Sequence, residues 1–164
     1  MKFEVIADET SIMALEPLVQ ALLAESRFAK AAYSRDKFLK IAKKAAADSA
    51  RHGFLVAYQN DVPVGFVYCG IGEPLIGTGL LVTNVHVLFV CKRVRSSLLG
   101  GKVANGLLNG ILHWNKARNG EEVLIHLTSG IRPQDTHRFL KRRRFDVVGG
   151  SYANRDMDIG ARAI

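Results

Sequence analysis

Seven consecutive residues in the middle of the chain, Arg95, Ser96, Ser97, Leu98, Leu99, Gly100 and Gly101, have the types and order that hold an anion. An alternating apolar run ends just before them at Cys91, and a helical pattern opens near Leu98. The first amides of a helix have no carbonyl one turn back, and they carry the positive end of the helix dipole. The backbone N–H groups from Ser96 to Gly101 are therefore a candidate cradle for phosphate or pyrophosphate. Gly100 and Gly101 would let oxygens approach the backbone. Arg95 and Lys102 add positive charge, and Ser96 and Ser97 add hydroxyl donors. The same residues also suit a plain strand-to-helix connection. They form neither a Walker A loop nor a G-x-G-x-x-G fingerprint.

A second candidate group lies just upstream. Asn84, His86, Leu88 and Val90 occupy alternate positions of the apolar run and are expected on one strand face. The imidazole of His86, with an ordinary pKa of about 6.5, can exchange a proton near neutral pH. A hydrogen-bonded structural histidine is the competing reading. His52, His113, His126 and His137 have weaker cases. Cys69 and Cys91 sit in apolar stretches without metal-ligand spacing, so two reduced, buried thiols and no metal are expected.

The elements that must position these groups follow from periodicity. Phe3 to Ala7 reads as a strand. Asp8, Thr10 and Ser11 offer caps for a helix with Ile12, Leu15, Leu18, Val19, Leu22 and Leu23 on one face, interrupted near Pro17. Ser34 caps a second helix running to about Arg51, with Phe38, Ile41, Ala45 and Ala46 as its stripe. "FLVAYQ" and "VGFVYCGI" form a hairpin around Asn60-Asp61. "GEPLIGTG" is a loop. Leu80 to Cys91 is the longest strand candidate. A helix from Leu98 to Arg118 carries Leu99, Val103, Leu107, Ile111 and Trp114 on its stripe. A strand at 123–128, a helix at 133–143 and a strand at 147–152 follow, and the tail after Asn154 reads as irregular. This order specifies an α/β fold, a mixed sheet with helices on both faces. The helix between the strands at 80–91 and 122–128 makes a right-handed βαβ unit of parallel strands.

A chain of 164 residues, 48% of them apolar, reads as one globular domain over 1–164. No apolar run approaches the roughly 18 residues of a membrane span. The first residues lack the apolar core of a signal peptide, so a cytoplasmic setting is expected. A net charge of +8 favours anionic ligands. Arg138, Lys141, Arg142, Arg143 and Arg144 form a basic cluster that suits either a solvated helix face or nucleic acid. No aromatic residues are interleaved there for base stacking.

Taken in this order, the elements resemble the GNAT superfamily of acetyl-CoA-dependent N-acyltransferases. That family carries Arg/Gln-x-x-Gly-x-Gly/Ala after its fourth strand, and Arg95 and Gly100 match its ends while Leu98 replaces the middle glycine. "LFV" at 88–90 resembles the strand end before the signature. "THRFLKRRRFDVVGGSY" at 136–152 resembles the last helix and strand, with Arg144 in place of a glycine and Phe145 kept. This segment and "TSG" at 128–130 are similar to small bacterial and phage members.

The resemblance implies a mostly antiparallel sheet with one splayed parallel pair. It implies an N-acetyltransferase that moves an acetyl group from acetyl-CoA to a primary amine by direct attack in a ternary complex. The pantetheine arm would pair with the backbone around Leu88, Phe89 and Val90, an amide near Leu88 would polarise the thioester, and the diphosphate would lie on Arg95 to Gly101. His86 would be the general base, because Asn84 stands where other members have a glutamate. Leu140 stands where many have a tyrosine acid, leaving Tyr33, Tyr152 or water to substitute. The acceptor would be a protein or small-molecule amine, with Glu25 and Asp36 near its site. Alternatives on the same fold are a nucleic-acid- or protein-binding module and an acyl-CoA-binding regulator. A homodimer is compatible with all three.

Overall fold

Local chemistry sets the element ends. The structure, a computed structural model, describes residues 1–153. Strand β1 covers Lys2–Ile6. Asp8 caps helix α1 (Glu9–Met13), its carboxylate accepting from the Ser11 amide at 2.8 Å. Pro17 falls in the first turn of α2 (Glu16–Glu25), where its missing N–H costs nothing, so the expected long helix is two. Ser34 caps α3 (Arg35–Ala47), which buries Phe38, Ala42 and Ala45. Phe38 and Ala45 of the expected stripe are buried, while Ile41 is exposed and Ala42 takes its place.

Strands β2 (His52–Gln59) and β3 (Val62–Gly72) are joined by Asn60 and Asp61, both at positive φ. That is the type I′ geometry whose twist matches a two-residue hairpin. Strand β4 (Val82–Val90) leads into a short helix α4 (Lys92–Arg95), where a loop was expected. Helix α5 (Leu98–Lys116) and strand β5 (Glu122–Ile125) complete the βαβ unit. The sheet order is β1-β2-β3-β4-β5, antiparallel except for the parallel β4–β5 pair.

Helix α5 packs on one face of this sheet, against Leu55, Ala57, Val67, Cys69 and Val85. Helices α1 to α3 cover the other, against Phe54, Val56, Phe66 and Phe89. Cys69 is a free thiol on the α5 face, and burial pushes its pKa up to about 12. Residues Met1–Ile131 form one compact unit, and a second begins at Arg132.

In the second unit Pro133 starts helix α6 (Pro133–Arg142), and Asp135 pairs with both Arg132 and Arg138. Lys141 lies 3.4 Å from Asp146. The strand expected at 147–152 is not formed, and Val147, Val148 and Tyr152 are exposed. A strand needs a neighbour for its hydrogen bonds, and Gly149-Gly150 weakens its extended preference. The expected irregular tail lies outside the described residues.

One buried polar node fixes the βαβ unit. Thr83 on β4 donates its hydroxyl to Asn115 Oδ1 at 2.6 Å, and Asn115 Nδ2 donates to the Gly120 carbonyl at 2.8 Å. Asn115→Leu strands both partners, and a buried group left unpaired costs about 1–3 kcal/mol. Urea denaturation should show a loss of that size. A loss within error would mean that the node contributes nothing to stability.

Candidate active site

The parallel pairing of β4 with β5 runs from Val82↔Glu122 to Val85↔Ile125 and stops. Beyond it β4 continues to Val90 with β3 on one side and, among the described residues, no strand on the other. Cys91 donates its amide to Val64 on β3 at 2.9 Å. Antiparallel alternation then turns the peptide groups of Phe89 and Val87 toward β3, and those of Leu88 and Val90 toward the open edge. At Val90 this is seen directly, for its carbonyl accepts from Arg95 Nε at 2.8 Å. The edge of β4 left open where β5 ends is thus formed by the Leu88 peptide and the Val90 amide. Phe89 itself is buried and meets Phe66 edge-on at 6.1 Å, anchoring the strand.

The side chains of β4 do not alternate as the sequence suggests. Tyr68 pairs with Val87 and Cys69 with Val85, so His86 is the extra residue of a β-bulge. His86 and Val87 therefore share the α1–α3 face. Leu88 and Val90 pack on the α5 face. The expectation that Asn84, His86, Leu88 and Val90 share one face is corrected by that single unpaired residue. His86 is exposed, while its ring lies 5.3 Å from that of Tyr68. Burial of part of the ring, then the charges of His126, His52 and Lys44, hold its pKa below the usual imidazole range. His86 is therefore neutral, and able to accept a proton, at neutral pH.

The anion cradle differs from the expectation in detail. Ser97 caps α5, its hydroxyl accepting from the Gly100 amide at 3.3 Å, and the Ser97 and Gly101 amides bond Val94 and Ser97 carbonyls. The amides of Leu98 and Leu99 have no acceptor among the described residues. The Leu98 side chain, 91% exposed, does not obstruct them. Gly100 is buried, and a Cβ there would lie 2.3 Å from the Val94 carbonyl. Its missing side chain makes room for the chain itself. Gly101, with nothing within 4 Å of such a Cβ, is the glycine that leaves the cradle open.

Arg95 is turned inward. Its Nη1 pairs with Glu25 on α2 at 2.6 Å, and its guanidinium lies 5.3 Å from the Phe89 ring centre. Nη2 is buried without a partner. Glu25, expected near the acceptor, instead neutralises Arg95. Lys92, Arg93 and Lys102 are exposed cations around the α5 N-terminus. Two free helix amides, an open Gly101 and these lysine and arginine residues fit a diphosphate.

Other candidates are placed elsewhere. Tyr33 donates its hydroxyl to Glu16 Oε1 at 3.0 Å, and burial with that bond pushes its pKa up to about 12. His126 Nε2 lies 3.2 Å from Asn84 Oδ1, beside the bulge. His113 bonds the Asn109 carbonyl at 2.8 Å on the exposed side of α5. Asp36 is exposed in the first turn of α3, and His137 is exposed on α6. Among the described residues no group of three His, Cys, Asp or Glu is arranged to hold a metal, and no helix is long and apolar enough to cross a membrane. The sequence reading missed Tyr68 and Gly70 beside His86 and gave His52 only a weak case, because only strand pairing brings them together.

No protein-family model and no curated protein matches the chain. Solved structures do. A ribosomal-protein-alanine N-acetyltransferase from Brucella melitensis biovar Abortus 2308 superposes over 94% of this chain and 99% of its own, with TM-score 0.67 and 17% identity. AAC(6')-Iy, in complex with the bisubstrate analog CoA-S-monomethyl-acetylneamine, covers 95% and 99% with TM-score 0.69 and 12% identity. The chain has the GNAT fold. A transcriptional regulator from Bacillus halodurans C-125 matches this GNAT fold over 94% and 99%, with TM-score 0.73 and 15% identity.

The depressed imidazole pKa values have a consequence for stability. His86 and His52 both bind protons more weakly folded than unfolded. As pH falls through the ordinary imidazole value of about 6.5, the unfolded chain is protonated first, so this stabilisation is present above that range and lost below it. Denaturation midpoints should fall between pH 8 and pH 5, and His52→Gln with His86→Gln should remove part of the slope. An unchanged slope in the double variant would show that neither ring is perturbed.

Proposed function

We propose that the protein transfers an acetyl group from acetyl-CoA to a primary amine, both bound at once. The observation that carries this reading is the open edge of β4 past Val85 and Ile125, beside the free amides of α5. The Leu88 peptide and the Val90 amide would hold the pantetheine arm as a strand would. The Leu88 amide is a donor for the thioester carbonyl, held in place by the strand without reorganisation. The Leu98 and Leu99 amides, the open backbone at Gly101 and the neighbouring Lys92, Arg93 and Lys102 would hold the diphosphate. Acetyl-CoA supplies the activated acetyl group.

His86 is the base. It is neutral at pH 7, it sits on the bulge, and its ring faces the side of the sheet from which an acceptor can enter. Tyr33, expected as a substitute acid, is tied to Glu16 through its hydroxyl. Water protonating the departing thiolate is sufficient for this reading, since a thiol is far more acidic than an amine's conjugate leaving group would be.

Acetyl-CoA at a hundredfold excess over its Kd should stabilise the fold by about 2.7 kcal/mol, read as a thermal shift. Gly101→Glu should fold, since it replaces an exposed helix glycine, and should lose that shift by placing a carboxylate at the cradle. His86→Ala should leave the shift intact and lower kcat by about a hundred- to ten-thousand-fold. No shift with millimolar acetyl-CoA would reject the assignment. Retention on nucleic acid with a steep salt dependence, unaffected by CoA, would favour a binding role for residues 138–144 instead.

A further inference from the structure

On the α1–α3 face, three adjacent strands bring His52, Tyr68 and His86 into one cluster. The Tyr68 hydroxyl lies 3.3 Å from His52 Nδ1. The Tyr68 ring is stacked with His52 at 6.1 Å and tilted against His86 at 5.3 Å, with Phe54 stacked on it at 4.7 Å. Gly70 is the floor between the two imidazoles, paired with His52 on β2 and with Asn84 on β4. A methyl group added at Gly70 would lie 3.5 Å from His52 Nδ1 and 3.6 Å from His86 Nε2. Both ring nitrogens therefore border the space above Gly70, and one atom lodged there touches both.

The charged and titratable groups around this space are Lys44 from α3, Asp48 at the C-terminal cap of that helix, Arg51 from the turn before β2, and His126 from beyond β5. Asp48 Oδ1 accepts from the Arg51 amide at 3.2 Å. The pit thus offers neutral nitrogen and oxygen acceptors, and cations outnumber carboxylates around it. We propose that the space above Gly70 receives the acceptor's ammonium group, held by the His52–Tyr68 couple while His86 takes its proton, before the freed amine moves along β4 to the thioester. This deepens the acetyltransferase reading and rests on it.

One N–H bond of the incoming ammonium breaks. The proton goes to His86 Nε2, the electron pair stays on the amine nitrogen, and the positive charge moves to the imidazole. With Nδ1 of His52 bare, the Tyr68 hydroxyl donates to it while its oxygen keeps a lone pair for a second amine N–H. His52 is therefore a positioning residue that acts through Tyr68. Lys44 and Arg51 make a second cationic group on the acceptor unfavourable, so the substrate class is a monoamine or an amine carrying an anionic group.

The test uses the full chain saturated with CoA, its histidine imidazoles followed by NMR at pH 8 during titration with n-propylamine. The His52 and His86 signals should move together. Gly70→Ala makes only ordinary van der Waals contacts, so it should fold, and it should weaken the response at least tenfold. Gly72→Ala, on the same face with nothing within 4 Å, should leave the response unchanged. In turnover assays His52→Asn should raise the amine KM about tenfold with little change in kcat or in the KM of acetyl-CoA. An unaltered propylamine response in folded Gly70→Ala would overturn the proposal. So would acetyl transfer in the wild type with both imidazole signals unmoved by amine. If CoA does not bind but propylamine still moves both signals in a Gly70-dependent way, the pit stands and the acetyltransferase reading falls.

Discussion

Everything proposed for the site depends on where the pairing of β4 with β5 ends, after Val85 and Ile125. While the two strands are paired, their backbone groups satisfy one another. Where the pairing ends, the Leu88 peptide and the Val90 amide have no strand partner among the described residues on that side. The Thr83–Asn115–Gly120 node sits at the paired end and holds α5 and the entry to β5 against β4. The pairing thus ends a short way beyond a fixed point. The open edge is produced by where pairing stops, and no single side chain creates it.

The Arg95–Glu25 pair secures the far end of that open edge. Arg95 leaves α4, donates to the Val90 carbonyl and reaches Glu25 at the end of α2. One residue thereby joins the strand end, the connection and a helix of the opposite layer. Side chains on this pair are 17% and 23% exposed. At that degree of burial, removal of either partner leaves the other charge poorly solvated. The arginine expected to attract an anion by its charge is paired with Glu25, and the proposed cradle would draw on helix amides and on cations further out.

The bulge at His86 links these features to chemistry. An extra residue in β4 moves every later side chain to the opposite face. It puts Leu88 and Val90 under α5, where they pack, and leaves His86 on the face with Tyr68 and His52. It also separates the roles of the strand, since the peptide groups of Leu88 and Val90 serve the open edge while the His86 side chain serves the other face.

The sequence by itself determined the mixed α/β order, the Ser34 and Asp8 caps, the Asn60-Asp61 hairpin and the βαβ unit with its α5 stripe. These follow from periodicity and from local hydrogen bonds, which act within a few residues. It also marked His86 and the segment from Arg95 to Gly101 by residue type. Tertiary structure decided which of those residues face what. The bulge is visible only as a register shift between β3 and β4, so strand alternation misassigned Leu88 and Val90. Gly100 and Gly101 read alike in sequence, yet one meets the Val94 carbonyl and the other meets solvent. Arg95 found Glu25 across 70 positions, and the His52–Tyr68–His86 cluster drew on three strands. The strand expected at 147–152 failed for the same reason, because a strand exists only where another supplies its hydrogen-bond partners.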